Sequence, residues 1–287
     1  MKTNFIKTVI LLLSICGTAQ AAPFSEEIPY YGEEFYQDLK AGVANKDLSA
    51  RLKVILKSTH TPQAGMMDKI SPNCEGTKCY THTAVGYGTA RVFLMGKFYL
   101  IKDNNGYGVK DVYCDQDHMT KDFIHGEEPG PDKVPDSTII NVEHTWPQSR
   151  FTGKYRTDMQ KSDLHHLFPT DSQMNSVRGN NAFGEVVKDT KILKCKNVRF
   201  GKTAAGGNDV FEPPHEHQGN VARALFYFST RYDLPIDPNQ EAFLRKWNRE
   251  DPVDEEERHR NDKIAEVQGN RNPFVDYPEL SDKISDF

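Results

Sequence analysis

The chain has 287 residues, of which 37% are hydrophobic, with 16 prolines, 20 glycines and a formal charge of −5 at pH 7. That length admits one large domain or two small ones, and the composition suits a mixed, loop-rich α+β protein with a modest core. The acidic balance supplies no general attraction for polyanions, so any nucleic-acid contact must come from a local basic groove helped by a metal ion.

Lys2 and Lys7 precede the apolar run Val9-Ile10-Leu11-Leu12-Leu13-Ser14-Ile15-Cys16, and Ala19-Gln20-Ala21 follows as a small-x-small pattern. These features predict a signal peptide over residues 1–21, too short to be a stable membrane anchor. A lipoprotein signal with Cys16 acylated is the weaker reading, because Ile15 stands where a small residue is expected. The mature region, 22–287, shows no repeat, low-complexity tract or break and reads as one domain. No later segment is apolar for long enough to cross a bilayer. Export leaves Cys74, Cys79, Cys114 and Cys195 in an oxidising compartment, where an even count suggests two disulfides. Cys74 and Cys79 bracket a short polar loop that a local bridge can close, and Cys114 would then pair with Cys195. A zinc site usually has two close cysteine pairs and here there is one.

Helices are expected at residues 33–42 and 47–58, the second with Leu48, Leu52, Ile55 and Leu56 as its apolar stripe. Glycine-broken strands are expected at 91–95, 98–101 and 109–114, and an acidic, proline-containing loop at 126–137. Strands over 141–146 and 164–168 follow, ended by Pro147 and Pro169 and separated by a polar loop holding Arg150, Lys154, Arg156 and Lys161. Thr170 or Asp171 caps a short helix that reaches Arg178, with Gly179 suited to a left-handed exit. The C-terminal third reads as helical. Val221, Leu225 and Phe228 share a face; Asp237, Pro238 and Gln240 start one helix; Asp254 and Glu255-Glu256-Glu257 start another.

The segment that carries chemistry is Asn141-Val142-Glu143-His144-Thr145-Trp146-Pro147-Gln148-Ser149. A Glu-His pair alone is usually a surface ion pair. At the edge of a compact strand–loop–strand–helix unit it gains meaning, because phosphodiester hydrolysis needs a neutral imidazole to deprotonate water and a hard cation to stabilise charge. Magnesium takes oxygen ligands and keeps several waters, so the Glu143 carboxylate and the Asn180 amide oxygen suffice as protein ligands. His165 and His166, as strand neighbours, point to opposite faces, and one structural and one groove-lining histidine are expected. His215-Glu216-His217 reads as a loop with little metal-binding value. Strand alternation also poses a difficulty: Glu143 and His144 can face one cleft only if the strand bends there.

The 141–149 motif, with Ser162-Asp163-Leu164-His165-His166-Leu167-Phe168-Pro169 and Asn175-Ser176-Val177-Arg178-Gly179-Asn180, resembles the endonuclease I family of bacterial periplasmic and secreted nucleases. Tyr87-Gly88-Thr89-Ala90-Arg91 and Val267-Gln268-Gly269-Asn270-Arg271-Asn272-Pro273-Phe274-Val275-Asp276 extend the likeness over most of the mature region. The resemblance implies a ββα-metal (His-Me finger) fold with His144 as general base and Glu143 and Asn180 as ligands of one Mg2+-type ion, for which Mn2+ or Ca2+ can substitute. It also implies cleavage of single- and double-stranded DNA and of RNA, leaving 5′-phosphates, by an exported monomer. The family's phosphate-stabilising arginine falls in a loop of variable length, where Arg150 and Arg156 both qualify. Two other classes compete: an exported nucleic-acid binder that has lost catalysis, and a zinc hydrolase using His165, His166 and the His215/His217 pair. The intact trio of Glu143, His144 and Asn180 argues against the first.

Overall fold

The computed structural model describes residues 26–114 and 116–287, so the signal-peptide expectation lies outside the described residues. Helices α1 (Gly32–Lys40) and α2 (Asn45–Lys57) form where expected, and Leu48, Leu52, Ile55 and Leu56 are all buried. A short antiparallel pair, β1 (Thr59–Thr61) and β2 (Lys69–Ser71), precedes the Cys74–Cys79 disulfide.

The expected strand at 91–95 is a helix. Gly86, at φ +79°, turns the chain into α3 (Tyr87–Phe93), which continues as a π-helical turn over Leu94–Phe98. Ala90, Phe93 and Leu94 lie three and four residues apart on the buried face, a spacing that an apolar run of this length offers to helix and strand alike. Gly96 is needed in that wide turn, since a Cβ there would come within 2.7 Å of the Lys133 carbonyl oxygen. The strands β3 (Leu100–Asp103), β4 (Gly106–Lys110) and β5 (Asp117–Met119) then form an antiparallel meander. The expected strand at 109–114 therefore ends at Lys110, and Val112 N–H bonds instead to Pro169 O at 3.1 Å. Residues 126–137 form no strand or helix, as expected.

Next comes the unit that positions the site: β6 (Ile140–His144), α4 (Thr157–Lys161), β7 (Leu167–Asp171) and α5 (Ser172–Arg178). Strands β6 and β7 are antiparallel, with Ile140 opposite Asp171 and His144 opposite Leu167, and α5 packs against both. Three expectations fail here. The basic loop contains α4, and residues 164–166 form a 3-10 turn started by Asp163, whose carboxylate accepts the His165 N–H. Pro169 lies inside β7, opposite Val142. β7 has only one strand neighbour, so a residue without an N–H is tolerated there.

A second meander, β8 (Lys188–Lys191), β9 (Arg199–Thr203) and β10 (Gly206–Glu212), leads into α6 (His215–Tyr232). Helix α6 is the spine of the molecule: Val221, Leu225 and Phe228 belong to the core shared with α1 and α2, while Ala224 belongs to the core under α3, β6 and β7. The helices α7 (Pro238–Glu250), α8 (Glu255–Gln268), α9 (Pro273–Asp276) and α10 (Leu280–Lys283) complete the chain. Asp237 and Asp254 cap α7 and α8 as expected, but Gln240 turns its side-chain oxygen to Phe183 N–H rather than completing a capping box. The result is an α+β fold with a ββα unit held between helices. Among the described residues, no helix is long and apolar enough to cross a membrane.

Candidate active site at the end of the ββα unit

Asp171 ends β7 and starts α5 by accepting the Gln173 and Met174 N–H groups, each at 3.0 Å. That cap aims α5 along β6. Arg178, in the last turn, reaches the strand end and donates to the His144 carbonyl at 2.9 Å and the Thr145 carbonyl at 2.6 Å. Its Nη1 also lies 2.7 Å from Oε1 of Glu143. The approach is ionic but poorly directed, and Glu143 Oε1 has no aligned hydrogen-bond donor, although Glu143 is only 1% exposed. Burial raises the Glu143 carboxyl pKa, against the opposing charge of Arg178 and the Tyr113 hydroxyl. An oxygen this buried and this poorly satisfied fits a cation ligand.

His144 is held on the other side of β6. Its Nε2 lies 3.1 Å from the Lys161 carbonyl, and its Nδ1 lies 3.3 Å from the side-chain nitrogen of Gln148. A carbonyl can only accept, so Nε2 carries the proton and Nδ1 keeps its lone pair. Burial, then the neighbouring His166, pushes the imidazole pKa down to about 3, which keeps the ring neutral near pH 7. Tyr87 and His166 enclose it, with ring centroids at 5.5 and 5.4 Å.

The remaining expected residues separate. Asn180 is exposed just past Gly179, which has φ +54°, and its carbonyl accepts from Arg150 Nη2 at 2.9 Å. Arg150 is thus tied to the end of α5, whereas Arg156 makes a two-pronged contact with Asp158 at 3.1 and 2.6 Å. Asn175, one turn before Arg178, donates from Nδ2 to Asn141 Oδ1 at 2.7 Å. Asn141 and Glu143 share a strand face by alternation, so Asn175 and Arg178 meet neighbouring positions of that face. The i, i+3 spacing of Asn175 from Arg178 is the sequence signal that it shares the strand-facing side.

The expectation of a groove-lining histidine fails: His165 and His166 are both buried in the 3-10 turn, bonded to the Asn270 and Gln160 carbonyls at 3.1 and 2.8 Å. His215 and His217 lie in the first turn of α6 rather than a loop, and His217 packs edge-on to Phe168 at 4.7 Å. Among the described residues, the histidines of the zinc reading form no metal-ligating group. The one such group among the described residues, Asp111, Cys114 and Asp171, has its ligand atoms within 4.8 Å of one another. Cys114 is spent in the disulfide to Cys195, and Asp171 caps α5 and pairs with Lys194 at 2.6 Å, so the group is structural.

Asp163 belongs to the 162–169 motif, where sequence alone assigns it no role. It is fully buried, accepting from Gln268 at 2.7 Å and from the Tyr227 and Tyr232 hydroxyls at 2.8 Å each. It anchors the turn just after Lys161, whose carbonyl fixes His144.

A two-stranded ribbon, a short helix capped at its start and a neutral buried histidine at the strand end define the ββα class of centre. The family model of endonuclease I matches residues 76–279, and the chain belongs to the endonuclease I family. The extracellular ribonuclease of Bacillus subtilis (strain 168) is 37% identical over 163 residues, covering 50% of this chain and 53% of that protein. An extracellular and a periplasmic deoxyribonuclease of Aeromonas hydrophila are each 32% identical over 117 residues, covering 40% of this chain and 49% and 48% of theirs. The chain spans about half the length of the curated relatives it matches.

Proposed function

We propose that the protein is an exported, metal-dependent, non-specific endonuclease that hydrolyses DNA, single- and double-stranded, and RNA. The relatives' names, a ribonuclease and two deoxyribonucleases found outside the cytoplasm, support both sugars and export. The observation that carries the chemistry is the neutral His144, with Nε2–H locked on the Lys161 carbonyl and the Nδ1 lone pair, which accepts from the Gln148 amide, as the atom that can take a proton. His144 takes a proton from water as the water oxygen bonds to phosphorus. The bond from phosphorus to the 3′-oxygen breaks, leaving a 5′-phosphate and a 3′-hydroxyl once that oxygen is protonated. Glu143 and Asn180 are the proposed protein ligands of one magnesium-type ion, which supplies electrostatic stabilisation of the phosphate oxygens. Asn175 is a second candidate for the amide ligand, favoured by its place on the strand-facing side of α5. Arg150, tied to the end of α5, is better placed than Arg156 to meet a phosphate there.

The experiment is incubation of the purified protein with plasmid and with RNA, with and without chelator, beside His144→Ala. Cleavage of both is expected only with magnesium, and His144→Ala is expected to lose about 10²–10⁴-fold in rate while still binding DNA. Turnover near wild type in that variant, or cleavage indifferent to chelator, overturns the assignment.

A further inference from the structure

The chain is acidic, yet two cations around Tyr87, whose ring borders His144, have no acidic partner among the described residues. Lys161 Nζ lies 4.7 Å from the centre of the Tyr87 ring, and the Arg91 guanidinium lies 6.0 Å from the same centre. Neither side chain has a hydrogen bond or ion pair among the described residues. The other basic residues of the 150–161 loop are committed: Lys154 to Asp233, Arg156 to Asp158, Arg150 to the Asn180 carbonyl. Tyr87 is half-buried, and its ring lies 5.5 Å from that of His144.

The backbone explains why these three groups stay together. Tyr87 and Arg91 are four residues apart on α3 and so share a helix face. Lys161 ends α4, and its own carbonyl is the one that fixes His144, so its backbone is tied to the base. Two like charges around one aromatic ring repel each other unless an anion joins them. A cationic pair with an aromatic platform matches a nucleotide: phosphate for the charges and a π-face for the ring.

We propose that Lys161, Arg91 and Tyr87 form a nucleotide subsite next to His144, the cations gripping a phosphate that flanks the scissile one and the Tyr87 ring stacking its base. This rests on the nuclease reading above and assigns the substrate contact on the His144 side of β6, away from Glu143. Because every base has a π-face, such a subsite holds the strand without reading sequence. It favours single strands, whose bases are free to leave their neighbours.

The test uses the full chain with metal chelated, so that nothing is cleaved, and fluorescence anisotropy on two labelled probes: a single-stranded oligothymidylate and an abasic oligomer of equal length. Tyr87→Leu is expected to weaken oligothymidylate binding about tenfold or more and leave the abasic oligomer unchanged, with Tyr87→Phe restoring wild-type affinity. The Lys161→Gln/Arg91→Gln double variant is expected to flatten the dependence of log affinity on log salt by about 0.7 per cation on both probes. Unchanged binding by Tyr87→Leu, or equal loss on both probes, removes the stacking role; an unchanged salt slope in the folded double variant removes the phosphate role. Wild-type protein that neither binds nor cleaves any nucleic acid overturns the nuclease reading itself. Cleavage by wild type with unaltered variants overturns the subsite alone.

Discussion

Arg178 governs how Glu143 behaves. Its guanidinium bonds two consecutive backbone carbonyls and lies against a carboxylate that is as buried as itself. Removing one member of a buried ion pair leaves the other charge uncompensated, at a cost of about 3–5 kcal/mol, so Glu143→Ala confounds folding with catalysis. Glu143→Gln keeps the shape and removes the charge. It is expected to abolish cleavage more completely than Asn180→Ala, which loses a neutral ligand and is partly rescued by added magnesium. Titrating cleavage rate against magnesium for Glu143→Gln, Asn180→Ala and Asn175→Ala decides the ligand set. A larger magnesium requirement for Asn175→Ala than for Asn180→Ala moves the amide ligand to Asn175.

Helix α5 has only seven residues, too short to persist without support. Its support is Asp171, which caps its first N–H groups with one oxygen and meets Lys194 with the other, beside the Cys114–Cys195 bridge. Loss of such a cap costs about 0.5–2 kcal/mol, and here the Lys194 contact goes with it. Asp171→Ala is therefore expected to lower the melting temperature by several degrees in calorimetry, at about 2–4 °C per kcal/mol for a chain of this size. It is also expected to reduce cleavage, because Arg178 loses its aim. An unchanged melting temperature would show that α5 is held by packing alone.

Among the described residues, six buried histidines set the response to acid, His60 included, whose pKa burial lowers. Burial pushes His82 and His166 down to about 4, and His144, His165 and His217 down to about 3. Unfolded, each would titrate near 6.5. Below that value the unfolded chain binds more protons than the folded one, so stability is full above about pH 6.5 and is lost as pH falls toward 4 and 3. Asp163 acts in the same direction only below the ordinary aspartate range: burial works against its charge, but the facing histidines, once protonated there, and the Gln268 hydrogen bond hold its carboxyl well below the usual value. Denaturant midpoints measured from pH 8 to pH 4 are expected to fall steadily below about 6.5. A flat profile would mean that these histidines already accept protons in the folded state.

Local patterns were enough for α1, α2 and the cap at Asp237, and they brought the start of α5 to Thr170 or Asp171 and that of α8 to the neighbourhood of Asp254, because helix spacing and capping are settled within a few residues of chain. They were enough, too, for both disulfide pairings and for the strand–helix frame around Glu143 and His144. They were not enough at 91–95, where an apolar run serves either periodicity and the packing of Gly96 against Lys133 selects the helix. Nor could they place Pro169 within β7, since that depends on β7 lacking a second strand neighbour. The difficulty over alternation was real: Glu143 faces Arg178 and α5, while His144 faces Lys161 and Gln148. Which carbonyl fixes the imidazole, which cations remain unpaired, and how Asp163 gathers groups from three distant segments are set by contacts between residues far apart in the chain. Only the packed molecule decides those, because burial and long-range hydrogen bonds have no signature in local order.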